Sequence, residues 1–342
     1  MTSAQMKPGE PDIRAAGDEP VPTAAMVHDA AERIAGLVRE TPLLNAPSLD
    51  RIAGRRILVK AESLQITGSF KLRGASNRIA VIPEDHRGGG VVAYSSGNHA
   101  QGVAAAASRL GLPAIIVMPA DAPAVKLDAT RAWGAEVRPY DRQNESREEI
   151  GQQLARERGA TLVKPYDDPY IVAGQGTVGL EIARQAAAMG IRPDAVVCSC
   201  SGGGLVSGTA LAVRDTWPDM AVYASEPAGF DDIARSLAAG ERVANDGTGD
   251  SFCDALLAPM PGEVTLPVMR HTLAGGLVVT DDDVAEAMRL AFAHLKLVIE
   301  PGGAVALAAA LSGKLPKEVE TVVCVASGGN VDGALFSRIL TG

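Results

Sequence analysis

Short apolar runs alternate along most of this chain with longer, alanine-rich stretches in which apolar positions recur with the period of an α-helix. The apolar runs predict strands at residues 57–60, 91–94, 114–118, 136–138, 161–163, 195–199, 222–225, 277–280 and 322–326. Helices fit between them, for example at residues 98–110, 146–158, 176–189 and 282–294. Apolar strands that alternate with helices are typical of parallel sheets covered on both faces. We therefore predict an α/β fold with mainly parallel sheets.

The N-terminal stretch differs from this pattern. Residues 1–25 are rich in Pro, Ala, Gly and charge and show no apolar period, which predicts a mobile tail. Residues 26–38 then fit a short amphipathic helix. Thr41-Pro42 follows it, and the residue before a proline disfavours helical backbone, so the helix should end before this point.

Charge and cysteine content narrow the function classes. The 342 residues carry a formal net charge of −9, which argues against nucleic acid because its binders usually present a basic face. The four cysteines show neither secretory pairing nor a CxxC motif, which predicts reduced core residues in a cytoplasmic protein. No stretch is apolar over the length that a bilayer requires, and the N-terminus lacks a signal-peptide pattern. We therefore expect no membrane partner.

The candidate chemistry centres on Lys71, which stands between Phe70 and a turn of small residues in the stretch 66–75. A lysine held in a cleft loses basicity and can form a Schiff base with pyridoxal 5'-phosphate (PLP). Most lysines at a helix start are simply solvated, so this stretch alone leaves both interpretations open. Three glycine-bearing segments further along the chain favour the cofactor, because each offers what PLP chemistry requires.

The first of these segments, residues 95–102, reads Ser-Ser-Gly-Asn-His-Ala-Gln-Gly and connects a predicted strand to an alanine-rich helix. Free N–H groups and the positive end of the helix dipole make such a junction a carboxylate site. An N-cap explains one polar residue there, but not four around a glycine. We interpret the segment as substrate-binding.

Two more segments follow predicted strands. Residues 201–205 read Ser-Gly-Gly-Gly-Leu, and consecutive glycines let backbone N–H groups cradle a phosphate. The spacing is neither a GxGxxG dinucleotide fingerprint nor a Walker loop, and a tight turn is the alternative. Residues 327–330 read Ser-Gly-Gly-Asn after the last predicted strand. Because ligands of α/β sheets gather at the carboxyl ends of strands, we expect these segments to converge.

The ordered combination resembles the fold type II PLP enzymes, and within them the threonine/serine dehydratase and serine racemase branch. The cofactor-lysine motif is matched by Ser69-Phe70-Lys71 with Arg73-Gly74-Ala75 and Asn77. The other matching segments are 95–102, 168–169 with 173–177, 201–205, 300–304 and 327–330. The resemblance extends from about Pro42 to the end of the chain. One departure is Cys253-Asp254-Ala255, where the branch often has Ala-Asp-Gly.

The resemblance implies a role for each matched residue. Lys71 would hold the cofactor as a Schiff base, Phe70 would pack against its ring, and Asn98 would hydrogen-bond its 3'-oxygen. Ser327 would face the pyridine nitrogen, and a neutral hydroxyl there makes the ring a weaker electron sink, which favours elimination. The phosphate would be bound through Ser201, Gly202, Gly203, Gly204 and Leu205. The implied substrate contacts are Ser95, Ser96, Asn98, His99 and Arg147.

The implied reaction is β-elimination from L-threonine or L-serine, with Lys71 as general base and a 2-keto acid and ammonia as products. Serine racemase and 3-hydroxyaspartate dehydratase are alternatives within the branch. A cysteine synthase-like β-replacement enzyme is an alternative that shares the fold. A dinucleotide-dependent oxidoreductase is disfavoured by the glycine spacing, and a non-catalytic binding protein by the intact lysine motif.

A divalent cation is a further expectation. Residues 226–232 follow a predicted strand and offer acidic side chains and a backbone carbonyl, which suit Mg²⁺ or Ca²⁺. A solvated acidic turn is the commoner outcome for such a run. The resemblance to the metal loop of serine racemase-like members implies Glu226, the Phe230 carbonyl and Asp232 as ligands.

Two residues bear on the choice of reaction. Arg147, in a Ser-Arg-Glu context, is similar to a racemase-branch arginine that reaches the substrate, and it could pair with the second carboxylate of 3-hydroxyaspartate. A solvated helix start is the plainer interpretation. Ser96 stands where serine racemases carry serine and many dehydratases carry alanine, so a proton donor opposite Lys71 is available for racemisation.

The resemblance also implies an architecture. A smaller domain at residues 75–164 would be inserted into a larger PLP-binding domain at residues 26–74 and 165–342. The active site would lie in the cleft between them, and the enzyme would be a homodimer.

Overall fold

Two β-sheets organise the described part of the chain, residues 20–342 of this computed structural model. The strands are β1 (Leu43–Asn45), β2 (Arg56–Ala61), β3 (Val91–Tyr94), β4 (Ala114–Pro119), β5 (Glu136–Tyr140), β6 (Thr161–Leu162), β7 (Ala195–Ser199), β8 (Ala221–Pro227), β9 (Gly275–Val279) and β10 (Thr321–Ala326). The larger sheet has the order β1-β2-β10-β7-β8-β9, and the smaller sheet has the order β5-β4-β3-β6.

The helices surround both sheets. They are α1 (Ala24–Arg33), α2 (Pro47–Ala53), α3 (Lys71–Ala80), α4 (Asn98–Leu110), α5 (Ala124–Ala132), α6 (Arg147–Arg158), α7 (Pro169–Ala188), α8 (Gly204–Thr216), α9 (Asp232–Ala239), α10 (Thr265–Thr272), α11 (Asp281–Leu290), α12 (Pro301–Leu311) and α13 (Gly333–Thr341). Short 3₁₀ turns lie at Glu62–Leu64, Glu84–Gly89 and Asp254–Leu256, and a π-helical turn lies at Ala291–Leu295.

All paired strands run parallel except β1, which pairs antiparallel with β2 at the edge of the larger sheet. At the centre of that sheet, Val323 of β10 lies between Leu58 of β2 and Val196 of β7. In the smaller sheet, Ile116 packs into one apolar cluster while its neighbours Ile115 and Val117 pack into the cluster on the opposite face. In the larger sheet, Leu58 likewise packs into a different cluster from its neighbours Ile57 and Val59. Both faces of each sheet are therefore covered, as the apolar strand pattern predicts.

The predicted α/β fold is confirmed, and the deviations from the predicted elements have local causes. The sequence pattern missed β1, which has three residues and is too short to show alternation. The helix predicted at 26–38 begins at Ala24, inside the predicted tail, and ends at Arg33. Gly36 follows with φ +76°, a left-handed conformation that the helix cannot continue through. The rest of the predicted tail, residues 1–19, lies outside the described residues.

Two further helices differ from their predicted ranges. The helix predicted at 176–189 begins at Pro169, because Asp168 caps it by accepting hydrogen bonds from two backbone N–H groups of the first turn. The helix predicted at 282–294 changes to a π-helical turn at Ala291–Leu295, and Lys296 with φ 59° ends it. The two domain boundaries remain a prediction, although the strands of the smaller sheet all lie between residues 91 and 162. Within residues 20–342, no helix combines the length and the apolar character that crossing a membrane requires.

Candidate active site

A cavity of about 760 Å³ lies where strands of both sheets end. Its lining includes residues that follow the carboxyl ends of β3, β7 and β10, which is where ligands bind in open α/β sheets. The predicted cofactor and substrate residues all line it, namely Phe70, Lys71, Ser95, Ser96, Asn98, His99, Arg147, Ser201, Gly202, Gly203, Gly204, Leu205 and Ser327. The structure therefore brings the three glycine-bearing segments and the lysine together.

Lys71 is the first residue of α3 and is half-buried at the cavity. Its Nζ donates a 2.8 Å hydrogen bond to the carbonyl oxygen of Pro165 and lies 5.1 Å from the centre of the Phe70 ring. Burial lowers the pKa of the amine to about 8, while the nearby Glu300 carboxylate opposes that shift. At a pKa of about 8, roughly a tenth of the amine is neutral, and so nucleophilic, at pH 7.

The first turn of α3, which carries Lys71, is held in place by the fully buried side chain of Arg73. Its guanidinium donates to both carboxylate oxygens of Glu62 and to both of Glu181, at 2.7–2.9 Å. Such paired contacts define the position of a side chain as well as its charge. The helices α3 and α7 also approach closely here, since a Cβ on Gly174 would stand 2.6 Å from the Cα of Gly74.

The segment predicted to bind the substrate forms the start of α4, with Gly97 at the N-cap. Ser95 Oγ accepts a 3.2 Å hydrogen bond from the Gly97 N–H, which folds the segment over the helix end. His99 is buried, and its Nε2 contacts the Val163 carbonyl oxygen at 2.9 Å. Burial and the nearby Lys71 lower the pKa of His99 to about 3, so the ring is neutral at this positive helix end. The first N–H groups of a helix have no intrahelical acceptor, so they can receive a carboxylate.

The glycine loop before α8 has no room for side chains. A Cβ on Gly202 would lie 2.3 Å from the ring of Tyr166, and one on Gly203, where φ is +93°, would lie 2.7 Å from Met269. Thr265 Oγ1 donates a 2.6 Å hydrogen bond to the Gly202 carbonyl oxygen and so fixes the orientation of that peptide group. With its N–H groups at the start of a 13-residue helix, the loop is a ready anion site.

A chain of polar side chains forms another wall of the cavity. Asn98 Nδ2 donates to Glu300 Oε1 at 2.5 Å, and Asn330 Nδ2 donates to Asn98 Oδ1 at 2.7 Å. Burial raises the pKa of Glu300 to about 7, although the hydrogen bond from Asn98 opposes the shift. Ser327 lines the cavity nearby, and its backbone carbonyl accepts a 3.1 Å hydrogen bond from the Phe70 N–H.

These observations fit the cofactor that the sequence predicts. The loop at 202–204 is packed too closely against Tyr166 and Met269 to carry side chains, so its backbone is bare, and it leads into the start of a helix. Lys71 is an amine of lowered pKa beside an aromatic ring in the same cavity. An anion cradle, an activated amine and a neutral hydroxyl in one cavity match the phosphate, aldehyde and pyridine nitrogen of PLP.

Cationic groups also line the cavity away from Lys71. The guanidinium of Arg147 lies 5.7 Å from the centre of the Tyr94 ring and donates a 2.8 Å hydrogen bond to its exposed neighbour Glu148. Lys126 of α5 forms a 3.0 Å ion pair with Asp254. Asp254 begins a 3₁₀ turn and belongs to the Cys-Asp-Ala segment, where this chain differs from the usual sequence of the branch. The acidic partners of both cations are solvent-exposed, so these cations can exchange them for a substrate carboxylate.

Several lining residues received no role from the sequence. Glu300 directly precedes the proline that begins α12 and lies in the matched segment 300–304, but the resemblance gave its side chain no role. Tyr166 follows a two-residue strand, and Lys126 lies on an amphipathic helix. No local pattern marks the side chains of Tyr166 and Lys126. Only the folded arrangement brings them to the cavity.

The three predicted cation ligands do not line this cavity. Glu226 is buried and accepts 2.8 Å hydrogen bonds from the N–H groups of Ile233 and Ala234 at the start of α9. Asp232 is buried as well, and its Oδ1 accepts a 2.7 Å hydrogen bond from Asn245. Its Oδ2 is buried without a hydrogen-bond partner. Within residues 20–342, no three His, Cys, Asp or Glu side chains converge as a metal site, so a cation here would need carbonyl and water ligands.

Known proteins match this chain over most of its length. The family described as "Pyridoxal-phosphate dependent enzyme" matches residues 34–328. The L-threo-3-hydroxyaspartate ammonia-lyase of Pseudomonas sp is 42% identical over 313 residues, covering 92% of this chain and 97% of that protein. Maize serine racemase has a TM-score of 0.88 and 37% identity, covering 94% of this chain and 98% of its own. The threonine deaminase of T.th. has a TM-score of 0.85 and 43% identity, covering 91% and 99% respectively.

Proposed function

The chain belongs to the family of pyridoxal-phosphate dependent enzymes, and on this basis we propose that it is an ammonia-lyase acting on β-hydroxy amino acids. The observation that carries the proposal is the position of Lys71, whose amine of lowered pKa lies in one cavity with a glycine cradle and an open helix start. L-threonine or L-serine would lose water and then ammonia to give 2-oxobutanoate or pyruvate. Relatives with ammonia-lyase and threonine deaminase names support this class.

Each part of the cofactor has a candidate partner. The loop at 202–205 would bind the phosphate through backbone N–H groups, and Lys71 would bind the aldehyde carbon covalently. Asn98 would donate to the 3'-oxygen, Phe70 would pack on the ring and Ser327 would face the pyridine nitrogen. When bound, PLP supplies an electron sink for the pair left at Cα after proton loss.

The chain's own residues bind and orient the substrate. The start of α4 would hold the α-carboxylate through its unpaired N–H groups and the hydroxyls of Ser95 and Ser96. The Nζ of Lys71 would act as the general base that takes the Cα proton. Its pKa of about 8 suits a base at neutral pH, and the Pro165 carbonyl is an acceptor that keeps the free amine at the cavity.

The acidic substrate L-threo-3-hydroxyaspartate is the second candidate, and Arg147 is the observation that favours it. The Arg147 guanidinium lines the cavity and stacks on Tyr94, and its carboxylate partner Glu148 is about half exposed. A guanidinium can receive a second substrate carboxylate through two parallel hydrogen bonds. The relative from Pseudomonas sp carries this substrate in its name.

One steady-state comparison tests the proposed reaction. The purified holoenzyme is given L-threonine, L-serine or L-threo-3-hydroxyaspartate, and the keto acid and ammonia are measured. We expect both products in equal amounts from at least one substrate without any added nucleophile. A cysteine synthase-like enzyme would form little keto acid and would consume serine only when sulfide or another thiol is present. That result would overturn the lyase assignment.

A divalent cation at Glu226, Asp232 and the Phe230 carbonyl is part of the proposal. The supporting observation is the buried Asp232 Oδ2, which has no hydrogen-bond partner. Mg²⁺ and Ca²⁺ prefer carboxylate and carbonyl oxygens completed by water. The carboxylate oxygens of Glu226 each accept one N–H and keep a lone pair for a ligand. A homodimer and a cytoplasmic location remain predictions.

A further inference from the structure

A continuous chain of hydrogen bonds links a backbone carbonyl to the cofactor wall of the cavity. Asn330 Nδ2 donates to the Thr67 carbonyl oxygen at 2.8 Å and to Asn98 Oδ1 at 2.7 Å. Asn98 Nδ2 in turn donates to Glu300 Oε1. The four groups come from the loop before α3, the loop after β10, the start of α4 and the residue before α12.

The donor-to-acceptor direction of this series of hydrogen bonds is fixed at its first contact, between Asn330 and Thr67. A backbone carbonyl can only accept, so the NH₂ end of the Asn330 side chain must face Thr67. The same NH₂ group then faces Asn98, which must present its carbonyl oxygen. The NH₂ end of Asn98 is thereby turned away from Asn330, toward Glu300. If Asn98 were rotated by 180°, two NH₂ groups would face each other and its carbonyl would meet the Glu300 carboxyl.

Two glycines, which lack a Cβ, make room for these hydrogen-bonded side chains. A Cβ on Gly68, where φ is +71°, would stand 2.3 Å from Asn330 Oδ1. A Cβ on Gly328 would stand 2.0 Å from Glu300 Oε1 and 3.1 Å from Asn98 Nδ2. The two glycine segments are also joined, because the Gly329 N–H donates to the Gly68 carbonyl at 2.8 Å. The backbone is thus arranged around the side-chain contacts on both sides.

We propose that Asn330 is a positioning residue that fixes the side-chain amide of Asn98. An NH₂ group has two N–H donors, and Asn98 spends one of them on Glu300. The other is available to the 3'-oxygen of the cofactor, the role that the proposed function gives to Asn98, on which this inference rests. Without Asn330, the amide can rotate and present its carbonyl oxygen to that anionic oxygen, which repels it. Asn330 therefore acts through Asn98.

The test uses purified protein that is stripped of cofactor and titrated with PLP. Asn330→Asp keeps the shape but replaces a donor by an acceptor, which faces the Thr67 carbonyl and Asn98 Oδ1. We expect it to weaken PLP binding at least tenfold and to shift the visible absorption band. Asn330→Ala should do the same to a lesser degree. Asn144→Asp is the matched control, because Asn144 is exposed outside the cavity, and it should bind PLP like wild type.

A double substitution separates a positioning role from a direct one. If Asn330 acts through Asn98, Asn98→Ala with Asn330→Ala should bind PLP no more weakly than Asn98→Ala alone. Additive losses, or a wild-type band and affinity in both Asn330 variants, would overturn the role of Asn330. The thermal midpoint of each cofactor-free variant shows whether it folds, and Asn330→Ala serves if Asn330→Asp does not. A wild-type protein that takes up no PLP would overturn the proposed function itself.

Discussion

The Nζ atom of Lys71 lies 2.8 Å from the carbonyl oxygen of Pro165, and both residues line the cavity. Lys71 follows β2 of the larger sheet, and Pro165 follows β6 of the smaller one. One hydrogen bond therefore ties the candidate nucleophile to the segment that connects the two sheets. If Lys71 is the base of the proposed reaction, this hydrogen bond would hold its free amine aligned at the cavity.

Replacing Lys71 by alanine should abolish both keto-acid release and the visible absorption band of the holoenzyme. The reason is that Lys71 lies beside Phe70 and the glycine loop, whereas Lys126, the other lysine among the described lining residues, lies on α5 and pairs with Asp254. Lys71→Arg keeps the positive charge but cannot form the same bond, so it should behave like Lys71→Ala. Borohydride reduction followed by peptide mapping gives an independent check. A reduced cofactor attached to any lysine other than Lys71 would contradict the assignment.

The sequence could predict the outline of the site because its backbone features leave local traces. The glycines at 202–204 and the polar segment at 95–99 follow strands directly, and such traces are visible without a structure. Tyr166 and Lys126 leave none, since their roles depend on which distant element they face. Short elements were also beyond prediction. β1 has three residues, and its pairing with β2 depends on tertiary contacts rather than on alternation.

Removing Arg147 should alter substrate preference rather than chemistry. Charge-assisted hydrogen bonds contribute about 1.5–3 kcal/mol each, so Arg147→Ala should lower kcat/KM for 3-hydroxyaspartate about tenfold to a hundredfold. Turnover of serine, which has no second carboxylate, should stay within about twofold by the same reasoning. Arg142→Ala is the control, because Arg142 is outside the cavity lining and pairs with Asp121. An unchanged ratio of the two substrates would remove Arg147 from this preference.

A cation at Asp232 should be visible as added stability. A ligand that binds only the folded state stabilises it by about 2.7 kcal/mol at a concentration one hundred times its Kd. The thermal midpoint should therefore rise with Mg²⁺ or Ca²⁺ and fall with EDTA, and Asp232→Asn should lose this response. Asp219→Asn is the control, since Asp219 is an exposed partner of Arg192. A thermal midpoint that changes with neither added metal nor EDTA would count against the site.

His99 should make the protein less stable as the pH falls. Its pKa is about 3 in the folded chain and about 6.5 when exposed, so between these values only the unfolded state binds the proton. The free energy of unfolding should then drop by about 1.4 kcal/mol per pH unit below pH 6.5. His99→Gln keeps a donor for the Val163 carbonyl but has no titrating ring, so it should lose this slope.

Urea unfolding of both proteins between pH 7.5 and pH 5 checks this prediction. Glu300 has the opposite effect, because its pKa of about 7 lies above the ordinary value of a carboxyl group. Its contribution to stability is lost as the pH rises from about 4.5 through 7. That contribution is present in both proteins, so the difference between their slopes isolates the histidine. Parallel slopes would mean that His99 does not resist protonation.

Ser96 should permit slow racemisation of serine beside elimination. Inversion at Cα needs a proton donor on the face opposite the base, and both Ser96 and Lys71 line the cavity. A positioned general acid contributes about a hundredfold or more, so Ser96→Ala should lose most D-serine formation. Elimination needs no such donor and should persist in the variant. The measurement is chiral analysis of unreacted serine in D₂O, where D-serine made by inversion carries deuterium at Cα. Wild-type protein that forms no D-serine would show that the hydroxyl serves only the substrate carboxylate.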